Sequence, residues 1–160
     1  MNKTQICQYF KENHIVYELM EHRAIYNMEE LDCLKLPYPD CEAKNLFVRD
    51  DKKENYCLIT VKGNKRVNLK EFRKRYGLRS LSFASADDLM KYMNLTPGSV
   101  SPLGILNDAD HRIHFYLDAE FSESRIAVHP NDNTATLWMQ ADDLVSLIRK
   151  HGNQVEMIKI

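Results

Sequence analysis

Leu46-Phe47-Val48-Arg49 and Tyr56-Cys57-Leu58-Ile59-Thr60-Val61, with the charged run 50–55 between them, are the stretch on which the fold turns. Alternation puts Cys57, Ile59 and Val61 on one face of the second segment and Leu58 on the other, so the pair reads as a hairpin. Just upstream, Lys44 and Asn45 head the first strand with a cation and a carboxamide. A lysine at a strand end ordinarily just reaches solvent. Beside Asn45, which offers both a donor and an acceptor, it also suits a phosphate or a ribose hydroxyl.

Working outward, residues 3–13 read as an opening helix with Ile6, Tyr9 and Phe10 at helical spacing, and 15–20 as a strand. Asn27 is placed to cap a helix that Glu29 and Glu30 suit electrostatically, and Pro37-Tyr38-Pro39-Asp40 ends it. Residues 69–76 form a basic helix stopped near Gly77, and Ser85 caps another through Met93. Strands are expected at 103–106, 113–117, 125–128 and 134–138, with Asn/Asp turns at 107–110 and 131–133. Residues 141–151 form an amphipathic helix with Leu144, Val145, Leu147 and Ile148 inward, and 155–160 an edge strand. Ala-Asp-Asp-Leu occurs at 86–89 and again at 141–144, as two similar helix starts. Helices and strands mix without strict alternation, which predicts an α/β (mixed α+β) domain spanning 1–160: a curled mixed sheet with helices packed outside it.

The bulk properties exclude more than they assert. At 160 residues the chain suits one soluble domain, and 44% apolar with 28% charged residues is ordinary for one. A net charge of -1 argues against a polycationic surface and leaves local patches open. Neither a signal-peptide core nor an apolar run of membrane-spanning length is visible, so the cytoplasm is the expected compartment. Cys7, Cys33, Cys41 and Cys57 make no Cys-x-x-Cys pair and read as idle thiols.

Thr96-Pro97-Gly98-Ser99-Val100-Ser101-Pro102-Leu103-Gly104 is the second informative stretch. Glycine lets a backbone approach a ligand closely and proline stiffens the chain around it, so this loop is suited to presenting amides to an anion. His129-Pro130 follows a strand and precedes a polar turn, a common place for a ligand-facing residue. His111 and His114, three apart across a turn and strand, point to opposite faces and predict no metal site. Between 62 and 79, eight Lys or Arg residues face a single acid, Glu71. Lys65, Arg66, Lys70, Arg73 and Lys74 are the candidates there for contact with nucleic-acid phosphates. A lysine, an amide-rich loop and a histidine, without a nucleophile motif, suit stabilisation of developing negative charge.

Lys44-Asn45-Leu46-Phe47-Val48-Arg49-Asp50, the Gly98-x-x-x-Pro102 loop and Val128-His129-Pro130 together resemble the aminoacyl-tRNA editing superfamily. That group contains the insertion domain of bacterial prolyl-tRNA synthetase, the YbaK-type deacylases and the freestanding ProX (PrdX) branch. The resemblance runs from about His22 to the C-terminal helix and is most specific at Lys44–Phe47. It implies a barrel-like mixed sheet surrounded by helices and hydrolysis, in trans, of alanine mischarged on proline tRNA. It implies that Lys44 holds the terminal adenosine or its phosphate, that the Gly98 and Ser99 amides stabilise the oxyanion, and that His129 lines the amino-acid pocket or aligns water. Asn45, Ile25, Tyr26, Leu31 and Pro102 are the implied substrate-binding residues. The implied partners are the tRNA(Pro) acceptor end and prolyl-tRNA synthetase, with the protein a monomer or weak homodimer, free of membrane, cofactor and metal. Two departures stand out: His22-Arg23 where relatives often have His-Pro, and Asn27 where the usual cap is Thr. Deacylation of Cys-tRNA or Ser-tRNA, and a non-catalytic tRNA- or synthetase-binding adaptor, are the alternative readings.

Overall fold

The computed structural model describes residues 1–160 except 28, 31 and 32. Its strands are β1 (Tyr17–Glu21), β2 (Ala43–Asp50), β3 (Tyr56–Lys62), β4 (Leu81–Phe83), β5 (Ile113–Asp118), β6 (Arg125–Val128), β7 (Ala135–Gln140) and β8 (Val155–Ile158). The helices are α1 (Lys3–Glu12), α2 (Leu69–Arg75), α3 (Ala86–Met93) and α4 (Ala141–His151). Three of the helix starts have a side-chain cap. Asn2 and Ser85 build capping boxes with Gln5 and Asp88, and Asn68 accepts from the amides of Lys70 and Glu71. Both Ala-Asp-Asp-Leu segments open helices, α3 and α4, and each brings two carboxylates to the first turn. Asn27 Oδ1 accepts from the Glu30 amide, the cap expected there, although the rest of that turn includes residues outside those described.

β2 and β3 form the expected antiparallel hairpin, with Lys44 opposite Val61 and Asn45 opposite Thr60. They belong to a five-stranded sheet ordered β4-β2-β3-β5-β8, in which β5 runs parallel to β3 and β8 parallel to β5. β1, β7 and β6 make a separate antiparallel sheet of three. The barrel-like sheet implied by the resemblance is thereby corrected. The strands divide into two ladders, each with its own edges, and neither closes on itself. A second correction concerns residues 103–106. Pro102 has no amide to give a ladder, and with Ser101 Oγ accepting from the Leu103 amide the segment winds into a 3-10 helix, Pro102–Asn107. The edge strand β4 escapes a reading by pattern because three residues show no periodicity.

The main core fills the space shared by the two sheets. Phe47, Leu58, Phe115 and Leu117 from one meet Ile126, Val128, Leu137 and Met139 from the other, and α1, α3 and α4 close it with Phe10, Met93 and Ile148. On the far side of the larger sheet, Val48, Cys57, Ile59, Val61 and Tyr116 pack against Phe72 of α2. Burial on both faces explains why β3 reads as a nearly continuous apolar run. A third cluster of Ile25, Leu36, Ala127 and Trp138 covers the outer face of the smaller sheet. The start of β2 and the end of β6 meet beside it, and there the candidate site lies.

Candidate functional site

A cleft of about 170 Å³ opens where these elements converge. Lys44 and Asn45 come from β2, His129 from the end of β6, Ile25 and Tyr26 from the segment after β1, and Pro97, Gly98 and Val100 from the proline-rich loop. Segments far apart in the sequence thus share one wall. Leu31 lies outside the described residues.

The loop is held by bonds that leave few of its atoms free. Ser101, fully buried, donates from Oγ to the His129 carbonyl at 2.6 Å. Asn45 Nδ2 donates to the Val100 carbonyl at 3.4 Å, while Asn45 Oδ1 accepts from buried Thr60 Oγ1 at 2.6 Å. Asn45 is therefore fixed in orientation, with the hairpin holding one end and the loop the other. Pro97–Ser99 is a 3-10 turn whose Ser99 amide donates to the Thr96 carbonyl at 2.9 Å. That bond takes Ser99 out of the oxyanion role expected for it. The Gly98 amide, inside the first turn of that helix, belongs to the donors a helix start leaves without an internal partner. Ser99 and Pro102 are both buried and absent from the cleft lining, Pro102 because it opens the next 3-10 helix.

Gly98 has a steric reason to be glycine. A Cβ there would stand 2.8 Å from Tyr26 Cδ1 and 3.4 Å from Asn133 Nδ2. Asn133 in turn clasps Ile25. Its Nδ2 donates to the Ile25 carbonyl and its backbone carbonyl accepts the Ile25 amide, both at 3.2 Å. Ile25 is buried, whereas Tyr26 is 69% exposed at the mouth. The Lys44 side chain shows no hydrogen bond or ion pair among the described residues, so its ammonium is unclaimed at the rim.

His129 is half-buried, and its Nδ1 lies 3.1 Å from the Ala135 carbonyl. A carbonyl only accepts, so Nδ1 carries the proton and Nε2 keeps a lone pair in the neutral ring. Burial holds the imidazole below its ordinary range, nearby His22 adds to that, and the Ala135 bond and Asp132 oppose it. Behind the cleft lies a recess of about 30 Å³, where His129 and Asn45 meet Leu36, Ala43, Ala127 and Thr136. Thr136 is bonded to His22, a contact across 114 positions that no local pattern announces.

The basic segment divides in two. Lys65 bonds Asp118 at 2.7 Å and Glu120 at 2.6 Å. Burial works against its charge, but the two carboxylates outweigh it and raise its pKa, so Lys65 is a structural cation and leaves the set of phosphate candidates. Arg66, Lys70, Arg73 and Lys74, on and before α2, have no carboxylate partner among the described residues. Elsewhere, His114 pairs with Glu156 and His111 packs on His151, so the two are separate, as their spacing predicts. Among the described residues no three His, Cys, Asp or Glu side chains cluster to hold a metal ion. Cys57 is buried, its thiol pushed up to about 12 by desolvation. None of the described helices is long and apolar enough to cross a membrane.

A proline-stiffened amide loop, a lysine whose side chain has no partner among the described residues and a neutral histidine thus share one cleft at the junction of two sheets. The model of the aminoacyl-tRNA editing domain matches residues 22–147, and the chain belongs to that family. It is 37% identical over 147 residues to the prolyl-tRNA editing protein ProX of Acetoanaerobium sticklandii, covering 91% of this chain and 90% of that one. It is 30% identical over 141 residues to the mouse prolyl-tRNA synthetase associated domain-containing protein 1, covering 85% and 83%. A structure described as a candidate trans-editing enzyme for prolyl tRNA synthetase superposes with a TM-score of 0.69 at 18% identity, covering 100% of this chain and 98% of that one. The hypothetical protein APE2540 superposes with a TM-score of 0.72 at 17% identity, over 99% and 98%. These two show the fold.

Proposed function

We propose that this chain is a trans-acting aminoacyl-tRNA deacylase of the prolyl system that hydrolyses Ala-tRNA(Pro). The observation that carries the reading is the convergence of unclaimed Lys44, the Gly98 amide and neutral His129 on one cleft with a very small recess. Lys44 holds the terminal nucleotide through its phosphate or ribose, and Asn45 keeps the strand and loop in register beneath it. A water oxygen attacks the ester carbonyl carbon, the carbonyl electrons move onto oxygen, and the Gly98 amide stabilises the charge that develops. Collapse expels the ribose oxygen, which takes up the proton lost by water, and leaves free alanine and uncharged tRNA. The substrate's neighbouring ribose hydroxyl orients the water, a route that asks for no Ser, Thr or Cys side chain in the cleft lining.

The small recess gives the substrate its physical logic. About 30 Å³ is room on the scale of one or two water molecules, which suits a methyl better than a pyrrolidine ring. A synthetic pocket built for proline separates it from alanine by only about 1–3 kcal/mol, which is what calls for a second, smaller site. Arg66, Lys70, Arg73 and Lys74 meet acceptor-arm phosphates.

The test is deacylation of Ala-tRNA(Pro) beside Pro-tRNA(Pro), Cys-tRNA and Ser-tRNA, with chelator present and absent. Chelator-resistant loss of alanine with proline spared is the expected result. Cleavage of another ester instead keeps the reaction class and overturns the assignment of the recess. Binding of tRNA without any cleavage makes the protein an adaptor.

A further inference from the structure

The recess behind the cleft has a polar corner to which the editing reaction assigns no task. Thr136 of β7 is 3% exposed, lines the recess beside His129, and sits 2.8 Å from His22 Nε2 through its Oγ1. The other nitrogen of His22, Nδ1, lies 2.7 Å from the Arg23 carbonyl. That carbonyl only accepts, so Nδ1 bears the proton, and Nε2 of the neutral ring is an acceptor. The Thr136 hydroxyl must then donate its hydrogen to His22, which leaves only lone pairs on Oγ1. His129 is set the same way, with the Ala135 carbonyl fixing the proton on Nδ1 and leaving Nε2 an acceptor. Two backbone carbonyls thereby dictate, through two imidazoles, that this corner presents acceptors and no donor. The recess has two further polar side chains, Glu42, whose carboxylate offers acceptors only, and Asn45, whose carboxamide oxygen is committed to Thr60.

We propose that Thr136 Oγ1 and His129 Nε2 form an acceptor pair that receives the α-ammonium group of the esterified amino acid, with His22 as the positioning residue that keeps the Thr136 hydroxyl turned away. The inference rests on the deacylase function proposed for the chain. A cationic donor with several N–H bonds is the group that two neutral acceptors lining one recess suit, and the one such group beside the ester carbonyl of an aminoacyl-tRNA is its α-ammonium. Burial keeps His129 neutral, which preserves its acceptor and avoids repulsion of the incoming cation. Placed so, the ammonium fixes the carbonyl relative to the Gly98 amide while the side chain enters the apolar part walled by Leu36, Ala43 and Ala127.

The deciding experiment compares Ala-tRNA(Pro) with its deaminated counterpart, 2-hydroxypropionyl-tRNA(Pro), which keeps the methyl and the ester and replaces ammonium by hydroxyl. Each rate is corrected for spontaneous hydrolysis. Wild type should prefer the alanyl ester by roughly ten- to a hundredfold in kcat/KM, the scale of charge-assisted hydrogen bonds. Thr136→Val should collapse that ratio, Thr136→Ser should restore most of it, and His22→Phe should reduce it. A wild-type enzyme that cleaves both esters equally overturns the ammonium assignment while leaving the deacylase function intact. An enzyme that cleaves neither overturns that function itself. A Thr136→Val protein that folds and retains the wild-type ratio removes Thr136 from the pair.

Discussion

Ser101 Oγ donates to the His129 carbonyl across 2.6 Å, and the same oxygen accepts the Leu103 amide. One buried hydroxyl thus ties the amide-bearing loop to the strand end that carries the histidine. Ser101→Ala leaves a carbonyl and an amide short of a partner in a fully buried place. The expected cost is about 1–3 kcal/mol, read as a lower urea midpoint at unchanged slope. Deacylation should fall in kcat more than KM rises, because the loop loses its register against His129 while its hold on tRNA persists. An unaltered urea midpoint would show that the clasp contributes nothing.

Lys44 makes the opposite prediction. Its head group has no partner among the described residues, so Lys44→Met should change unfolding free energy by only about 0.5 kcal/mol or less. Deacylation should nevertheless drop by roughly two orders of magnitude if the ammonium holds the terminal nucleotide, the scale of a charge-assisted hydrogen bond. Wild-type turnover in this variant removes Lys44 from the site.

Sequence reading reaches the hairpin, four helices and the lysine, glycine and histidine of the cleft because each advertises itself locally. The alternation around Cys57–Val61, the caps at Asn68 and Ser85 and the prolines flanking Gly98 are short-range signals. Bonds between distant segments leave no such mark. The bond from His22, just after β1, to Thr136 of neighbouring β7 is invisible because it joins positions 114 apart, and Lys65 reads as a phosphate ligand because Asp118 and Glu120 are more than fifty positions away. Ser99 illustrates a different failure. Its position in the loop is visible in the sequence, but not that the 3-10 turn takes its amide. The division into two sheets is hidden for a related reason, since which strands pair depends on register across the core.

Gly98 and Tyr26 should behave as a coupled pair. An added Cβ at Gly98 meets the Tyr26 ring at 2.8 Å, and that ring belongs to an exposed side chain with room to turn aside. Gly98→Ala should therefore fold normally and lose activity by pushing Tyr26 out of the cleft mouth. Combined with Tyr26→Ala, which removes the obstacle, the loss should be smaller than the sum of the single effects, a coupling readable in a double-mutant cycle on kcat/KM. Strict additivity would mean that Gly98 acts through its own amide and not through the tyrosine.

Protonation of His129 gives a pH dependence with a definite sign. Its native pKa is held below 6.5 chiefly by burial, while the unfolded chain titrates near 6.5. Between those values the unfolded state binds a proton that the native state refuses, so stability falls as pH descends below 6.5 and levels off beneath the native value. His114, also lowered by burial, adds to the same slope despite the opposing pull of Glu156. Asp50, Asp51 and Asp132 have values below 3.8, so the stability they contribute disappears only at more acidic pH. Urea midpoints between about pH 7.5 and 5 should therefore decline, less steeply in His129→Gln. An identical decline in that variant would place the titration elsewhere.

The basic segment separates folding from binding. Lys65→Ala strands the carboxylate of Asp118, whose side chain is 1% exposed, and should cost about 1–3 kcal/mol. Its tRNA affinity, measured under native conditions, should scarcely change. Reversing charge at Lys70, Arg73 and Lys74 should leave the urea midpoint close to that of wild type, a change of about 0.5 kcal/mol or less, because these side chains have no carboxylate partner among the described residues. Affinity for tRNA should instead weaken, and the slope of log K against log salt should shrink by about 0.7–0.9 for each phosphate no longer neutralised. If the Lys70/Arg73/Lys74 variant binds tRNA with an unchanged salt slope, α2 is an ordinary solvated face and the acceptor arm approaches from another side of the cleft.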